Sequence, residues 1–169
     1  MTFERKIAAI FNMSETTWER HANPWSGWTR IITGLPLLIL AFWSRIWLGW
    51  WALIPIVIVV FLIWLNPRIF SKPSSTNNWI SKSVLGERIW LNRDNISVPQ
   101  HHCRVPNILS AISALGGVFV ILGLVALSIW ITLLGSTIHY FGKLWYLDRM
   151  VWLYEDMKET NADYQSWLY

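Results

Sequence analysis

At 169 residues the chain is long enough for one compact domain, and 54% of it is hydrophobic while only 14% is charged; soluble domains carry about 25% charged residues. Mean hydropathy is +0.36, fourteen residues are tryptophan and the formal charge is a modest +4. The basic residues form no dense patch, which argues against nucleic acid as a partner, and the single cysteine, Cys103, excludes an internal disulfide.

The first ten residues, MTFERKIAAI, carry charges and no long apolar core, so no signal peptide is expected. No lipidation box is apparent either. Phe3, Ile7, Ile10 and Phe11 recur at helical spacing and predict a short amphipathic surface helix. The run from Thr16 to Glu19 has capping-box spacing for a second helix. Asn23-Pro24 reads as an N-cap followed by a first helical position, with Trp25 and Trp28 beside it as interfacial anchors.

Residues 31–65 are apolar almost throughout. As one helix they would reach about 50 Å, against a hydrocarbon core of about 30 Å. Arg45 lies near their middle, where a charge in lipid costs at least about 2.5 kcal/mol. The expected solution is a hairpin: one span over 28–43, a second over 46–65, and Arg45 at the turn with its head in water. Pro36 and Pro55 fall inside these spans, where neighbouring helices can compensate a lost hydrogen bond. Trp43, Trp47, Trp50 and Trp51 would anchor the outer interface.

Residues 66–105 form a loop of turn-rich sequence, NPRIFSKPSSTNN, followed by WISKSVLGERIWLNRD. The latter predicts a short amphipathic helix with Trp79, Val84 and Trp90 as membrane-facing candidates. From Asn107 onward no Lys, Arg, Asp or Glu occurs before Lys143. A second hairpin is expected there, with spans over 106–121 and 124–146 and a turn near Gly123. The competing assignment is one tilted span over 107–134 and a surface helix. The tail, 147–169, continues the last span out of the membrane, with Asp148, Trp152 and Glu155 on one face and Arg149 with Asp156 on another, as a local ion-pair face.

Charge decides between the two. With four spans, thirteen of the fourteen basic residues fall on one side and Arg45 alone on the other. The positive-inside rule makes the crowded side cytoplasmic, with the N-terminal segment 1–27, the central loop and both termini on it. The predicted fold class is therefore all-α: a single polytopic membrane bundle of four transmembrane helices as two helical hairpins, with short amphipathic interfacial helices.

The blocks WERHANP (18–24), LGERIWL (85–91) and KLWYLDRM (143–150) together resemble a family of small prokaryotic integral membrane proteins built on a domain of unknown function. The resemblance covers nearly the whole chain. It implies a multi-span protein of the prokaryotic cell membrane, and it carries over no catalytic residue.

Four histidines, His21, His101, His102 and His139, are expected near the cytoplasmic interface at similar depth, with Cys103, Glu19, Glu87 and Asp148 within range. Imidazole, thiolate and carboxylate are ligands for zinc, iron or copper, and two histidines can hold a haem. No HxxxH, CxxC or ExxH spacing supports a metal or haem site, and no phosphate loop, catalytic triad order or nucleotide fingerprint appears. Arg68, Lys72, Lys82, Arg88, Arg93 and Arg104 are candidates for anionic lipid heads. Ser110, Ala114 and Gly117 share a helical face suited to close packing, within the protein or in a homo-oligomer. Intramembrane charge is scarce, which argues against an ion pathway. The leading expectation is a non-catalytic scaffold or accessory subunit working through helix packing with lipid and a membrane-protein partner. The alternative is a membrane enzyme or redox protein with a His-lined metal or haem site.

Overall fold

The computed structural model describes residues 14–169, and over them the protein is all-α. The expected helix through Phe3, Ile7, Ile10 and Phe11 lies outside the described residues. Helix α1 (Glu15–His21) is capped by Ser14, whose hydroxyl accepts the Thr17 N–H at 3.3 Å. The cap thus sits two residues before the Thr16 that the capping-box spacing suggested. Helix α2 (Pro24–Thr29) starts as expected: the Asn23 side chain accepts the Trp25 N–H at 2.9 Å and Pro24 follows.

The helix then widens into a π turn at Arg30–Gly34 before α3 (Leu35–Trp43). Pro36 explains part of this. A π register pairs residue i with i+5, so the Ile31 carbonyl would look to residue 36, which has no N–H. The Tyr140 hydroxyl supplies the missing donor, 2.7 Å from the Ile31 oxygen.

A short helix α4 (Arg45–Leu48) and a 3₁₀ turn (Gly49–Ala52) follow, the turn entered through a positive φ at Gly49. Helix α5 (Leu53–Ile69) returns beside the first limb. Ser26 donates to Asn66 Oδ1 at 2.8 Å, and Asn66 donates to Thr29 Oγ1 at 2.9 Å. Arg45 is not simply immersed in water, as its place at a turn suggested. Its guanidinium donates to the carbonyls of Leu124 and Val125 at 2.6 and 2.7 Å. It therefore satisfies the orphan acceptors at the end of another helix, where the helix dipole favours a cation.

That other helix is α7 (Val105–Ala126), which pairs with α8 (Ile129–Met157). The turn between them lies at Leu127 and Ser128, not near Gly123. Leu127 takes the left-handed conformation (φ 51°), and the Ser128 N–H reaches back to the Gly123 carbonyl at 2.9 Å, a Schellman-type stop. Gly123 is used for packing instead. A side chain there would strike Thr132, and one at Gly116 would strike the His139 backbone. Gly135 and Gly142 on α8 meet α7 in the same register, against Val120 and Ser113. The glycines stand seven residues apart on each helix, about two turns, so the two backbones close over a continuous seam.

Helix α6 (Trp79–Leu91) corrects a further expectation. It forms in the predicted place, capped by Asn78, but Val84 and Trp90 do not face lipid: they are 2% and 1% exposed. Gly86 lets α6 press onto α8, since any side chain there would collide with the Met150 carbonyl. Ile80, Leu85, Ile89 and Trp90 then pack with Met150, Leu153, Tyr154 and Tyr164 of α8 and α9 (Ala162–Ser166) in the main hydrophobic core. The carboxylates of the tail serve tertiary contacts more than a local ion-pair face. Asp148 accepts from Trp79 Nε1 at 3.0 Å, Glu155 pairs with Lys82 at 2.6 Å as well as with Lys158, and Asp156 meets two histidines.

Large apolar side chains stand exposed along α2 to α5 and along the α7–α8 pair, among them Leu40, Trp50, Val57, Leu115, Val125 and Trp130. Two stretches, Pro24–Ile69 and Gln100–Ala126, are long and apolar enough to cross a membrane.

Candidate functional site

A cavity of about 790 Å³ opens between the first limb, α6 and the α7–α8 pair. That size falls within the range of about 300–1,000 Å³ usual for small-molecule sites. Its walls are mostly apolar, from Leu35, Leu38, Ile63 and Leu147 among others. Ser110, Ala114 and Gly117, the small-residue face noted in the sequence, line it. They do not form the α7–α8 seam, which runs through Ser113, Gly116, Val120 and Gly123; a Cβ at Gly117 would touch nothing within 4 Å. Their smallness makes room in the cavity.

The polar lining gathers Arg30, His21, Glu87, Lys143, His139 and Tyr140. Lys143 Nζ is 2.8 Å from Glu87 Oε1, so this pair largely neutralises itself. Arg30 differs. Its guanidinium donates to His21 Nδ1 and, at 3.5 Å, to Ser26 Oγ. No carboxylate among the described residues lies within ion-pair distance of it, and Glu87 reaches it only through a longer-range attraction. His21 must be neutral to accept from Arg30, and its surroundings agree: burial first, then the charges of Arg30 and Lys143, push its pKa well below the ordinary value. Arg30, placed on the π turn, is thus a charged donor whose near partners are uncharged. His139 is spent elsewhere, its Nδ1 lying 3.0 Å from the Ser113 carbonyl.

A second cluster lies where the 3₁₀ turn Gln100–His102 meets the end of α8. His101 Nε2 and His102 Nε2 stand 2.9 and 2.8 Å from the same oxygen of Asp156. The His102 side chain is fully buried, whereas His101 and Asp156 are open to solvent. Hydrogen bonds from His101 and then His102 hold the Asp156 carboxyl below its usual range. Burial pushes the His102 imidazole down, against an upward pull from Asp156.

The model of a family of unknown function, DUF6653, matches residues 2–167. The chain belongs to that family. No curated protein and no solved structure matches it, so DUF6653 membership brings no ligand or residue role, and the chemistry rests on this chain's own geometry.

The predicted histidine set does not converge on one point. His21 and His139 line the cavity, while His101 and His102 meet at Asp156. Cys103 is exposed, and its thiol faces the carbonyls of Val98 and Pro99. Of the cations considered for lipid heads, Lys72, Lys82 and Arg88 pair with Glu19, Glu155 and Glu15. Arg68 and Arg93 lie over the rings of Trp64 and Trp90, and Arg104 is exposed. Trp25, Trp47, Trp50 and Trp51 are strongly exposed, Trp43 is partly covered, and Trp28 stacks on Trp79 at 5.8 Å. Sequence reasoning passed over Arg30, Lys143 and Asp156 as site residues and named Glu87 only as a carboxylate in range of the histidines. The signal that was available is the arginine in WTRIITGLP, a cation at the edge of an apolar run, six residues before a helix-disturbing proline.

Proposed function

We propose that this protein spans the membrane four times, as two hairpins with both termini and the central loop in the cytoplasm, and binds an anionic lipid in its central cavity. Arg30 receives the acidic head, and the apolar wall receives the start of an acyl chain. The observation that carries this reading is Arg30, a guanidinium lining a mostly apolar cavity with only neutral near partners. A cation held away from water favours an anion that can accept two of its hydrogen bonds at once. The exposed apolar surfaces of both limbs support residence in lipid, because soluble monomers rarely show apolar patches beyond a few hundred Å². A scaffold acting only through helix packing has no use for such a cavity.

Titration of the detergent-solubilised protein with an anionic and with a zwitterionic phospholipid tests the proposal. The anionic lipid is expected to raise the thermal midpoint, and Arg30→Gln to weaken its binding by about 10- to 100-fold, in line with roughly 1.5–3 kcal/mol for a charged hydrogen bond. Equal response to both lipids, or an unchanged affinity in Arg30→Gln, would overturn it. A response to inorganic phosphate equal to that of the lipid would show a free-anion site instead.

A further inference from the structure

We infer that His101, His102 and Asp156 form a site for one divalent transition-metal ion of the kind that prefers imidazole and carboxylate, zinc above all. The site is separate from the cavity: Asp156 stands thirteen residues beyond Lys143 on α8, about 20 Å along the helix.

The three ligand atoms lie within 4.8 Å of one another. Two imidazoles and one carboxylate are a donor set used by zinc, with water completing the coordination. A tetrahedral ion with bonds of about 2.0–2.1 Å holds its donors about 3.3 Å apart. The separations of 2.8 and 2.9 Å between each imidazole nitrogen and the carboxylate oxygen therefore need to widen by about half an ångström, and the two nitrogens, within 4.8 Å of each other, need to close by at most about 1.5 Å.

The convergence is not a by-product of local geometry. Consecutive residues of a 3₁₀ turn point about 120° apart, yet the rings of His101 and His102 approach to 4.2 Å between centroids and both present Nε2 to one oxygen. His102 is held by complete burial and by its backbone N–H, 2.9 Å from the Pro99 carbonyl. His101 and Asp156 leave the other side open to water, which gives an ion a path in and a free coordination position. Asp156 also occupies the last turn of α8. The negative end of the helix dipole disfavours a carboxylate there and favours a cation. Arg149 opposes the ion, with its guanidinium 3.5 Å from His102 Nδ1. That distance is at the limit of a hydrogen bond, and the group also lies over the Trp152 ring at 5.3 Å, so an ion has to displace only this weak contact. A bound ion would join the segment before α7 to the end of α8.

The test uses untagged protein in mild detergent, stripped with a chelator and dialysed against zinc chloride at neutral pH. One zinc per chain is expected. His101→Ala, at an exposed position, and Asp156→Asn should each lower the affinity at least tenfold while circular dichroism and elution volume stay unchanged. Cobalt substituted for zinc should show visible bands that disappear in the same variants. No retained metal would overturn the inference, and so would equal retention in both variants or retention that follows Cys103→Ser.

Discussion

His21 is the residue whose protonation the fold decides most directly. It is enclosed between Arg30 and Lys143, with Glu87 as the nearby carboxylate. Its pKa in the folded chain lies well below the ordinary histidine value of 6.5, so below that pH the unfolded chain binds the extra proton first. Stability that is complete above about pH 6.5 must then fall as the solution is acidified towards the folded value. Thermal midpoints measured between pH 8 and pH 5 should decline below about 6.5, and His21→Gln should flatten that decline. A wild-type midpoint that rises on acidification would show that His21 is charged in the folded state. The same environment explains why the histidines were hard to place from sequence. The sequence placed the four histidines at a common depth, whereas two line the cavity and two meet at Asp156; their partners were not legible, because Arg30 reaches His21 from the edge of the first apolar run and Asp156 lies 54 residues from His102.

Among the elements, the packing of α6 on α8 is the contact the sequence hid. Its helical period was readable, but which of its faces is covered depends on Gly86 meeting Met150, a pair sixty-four residues apart. Gly86→Ala should destabilise the protein by about 1–3 kcal/mol, the usual range for forcing atoms into a packed core. The gain in helix propensity works the other way by up to about 1 kcal/mol. A lowered midpoint in thermal unfolding checks this, and an unchanged or raised midpoint would mean the α6–α8 contact is looser than described. The misplaced turn between α7 and α8 has a related cause. Gly123 carries the usual mark of a turn, but here it serves close approach to Thr132, and the reversal falls to Leu127, which bears no such mark. The first reversal was easier to find, because Arg45 interrupts an apolar run; that it caps α7 was beyond reach, since the Leu124 and Val125 carbonyls lie some eighty residues away.

Across the whole molecule, two regions divide the work. One exposes apolar side chains along α2 to α5 and the α7–α8 pair; the other buries them among α6, the end of α8 and α9. The cavity takes its lining from both. The all-α class and the two long apolar stretches were readable from composition and run length, whereas the cavity was not, because its lining comes from α1 to α3, α5, α6, α7 and α8 together. The proposed orientation has a built-in probe in Cys103, the single cysteine and an exposed one. A membrane-impermeant maleimide should label it in inverted vesicles and leave it unlabelled in sealed cells; labelling in sealed cells would reverse the topology.

Native mass spectrometry of untagged protein, wild type beside Gly117→Leu, tests the lipid-binding cavity most directly. A Cβ at Gly117, on the cavity wall, would meet nothing within 4 Å, so a leucine there is expected to narrow the cavity while the fold is kept. The wild type should carry one anionic phospholipid per chain, and Gly117→Leu, equally folded, should carry none. A lipid-free wild type, or the same lipid on both proteins, would contradict the account.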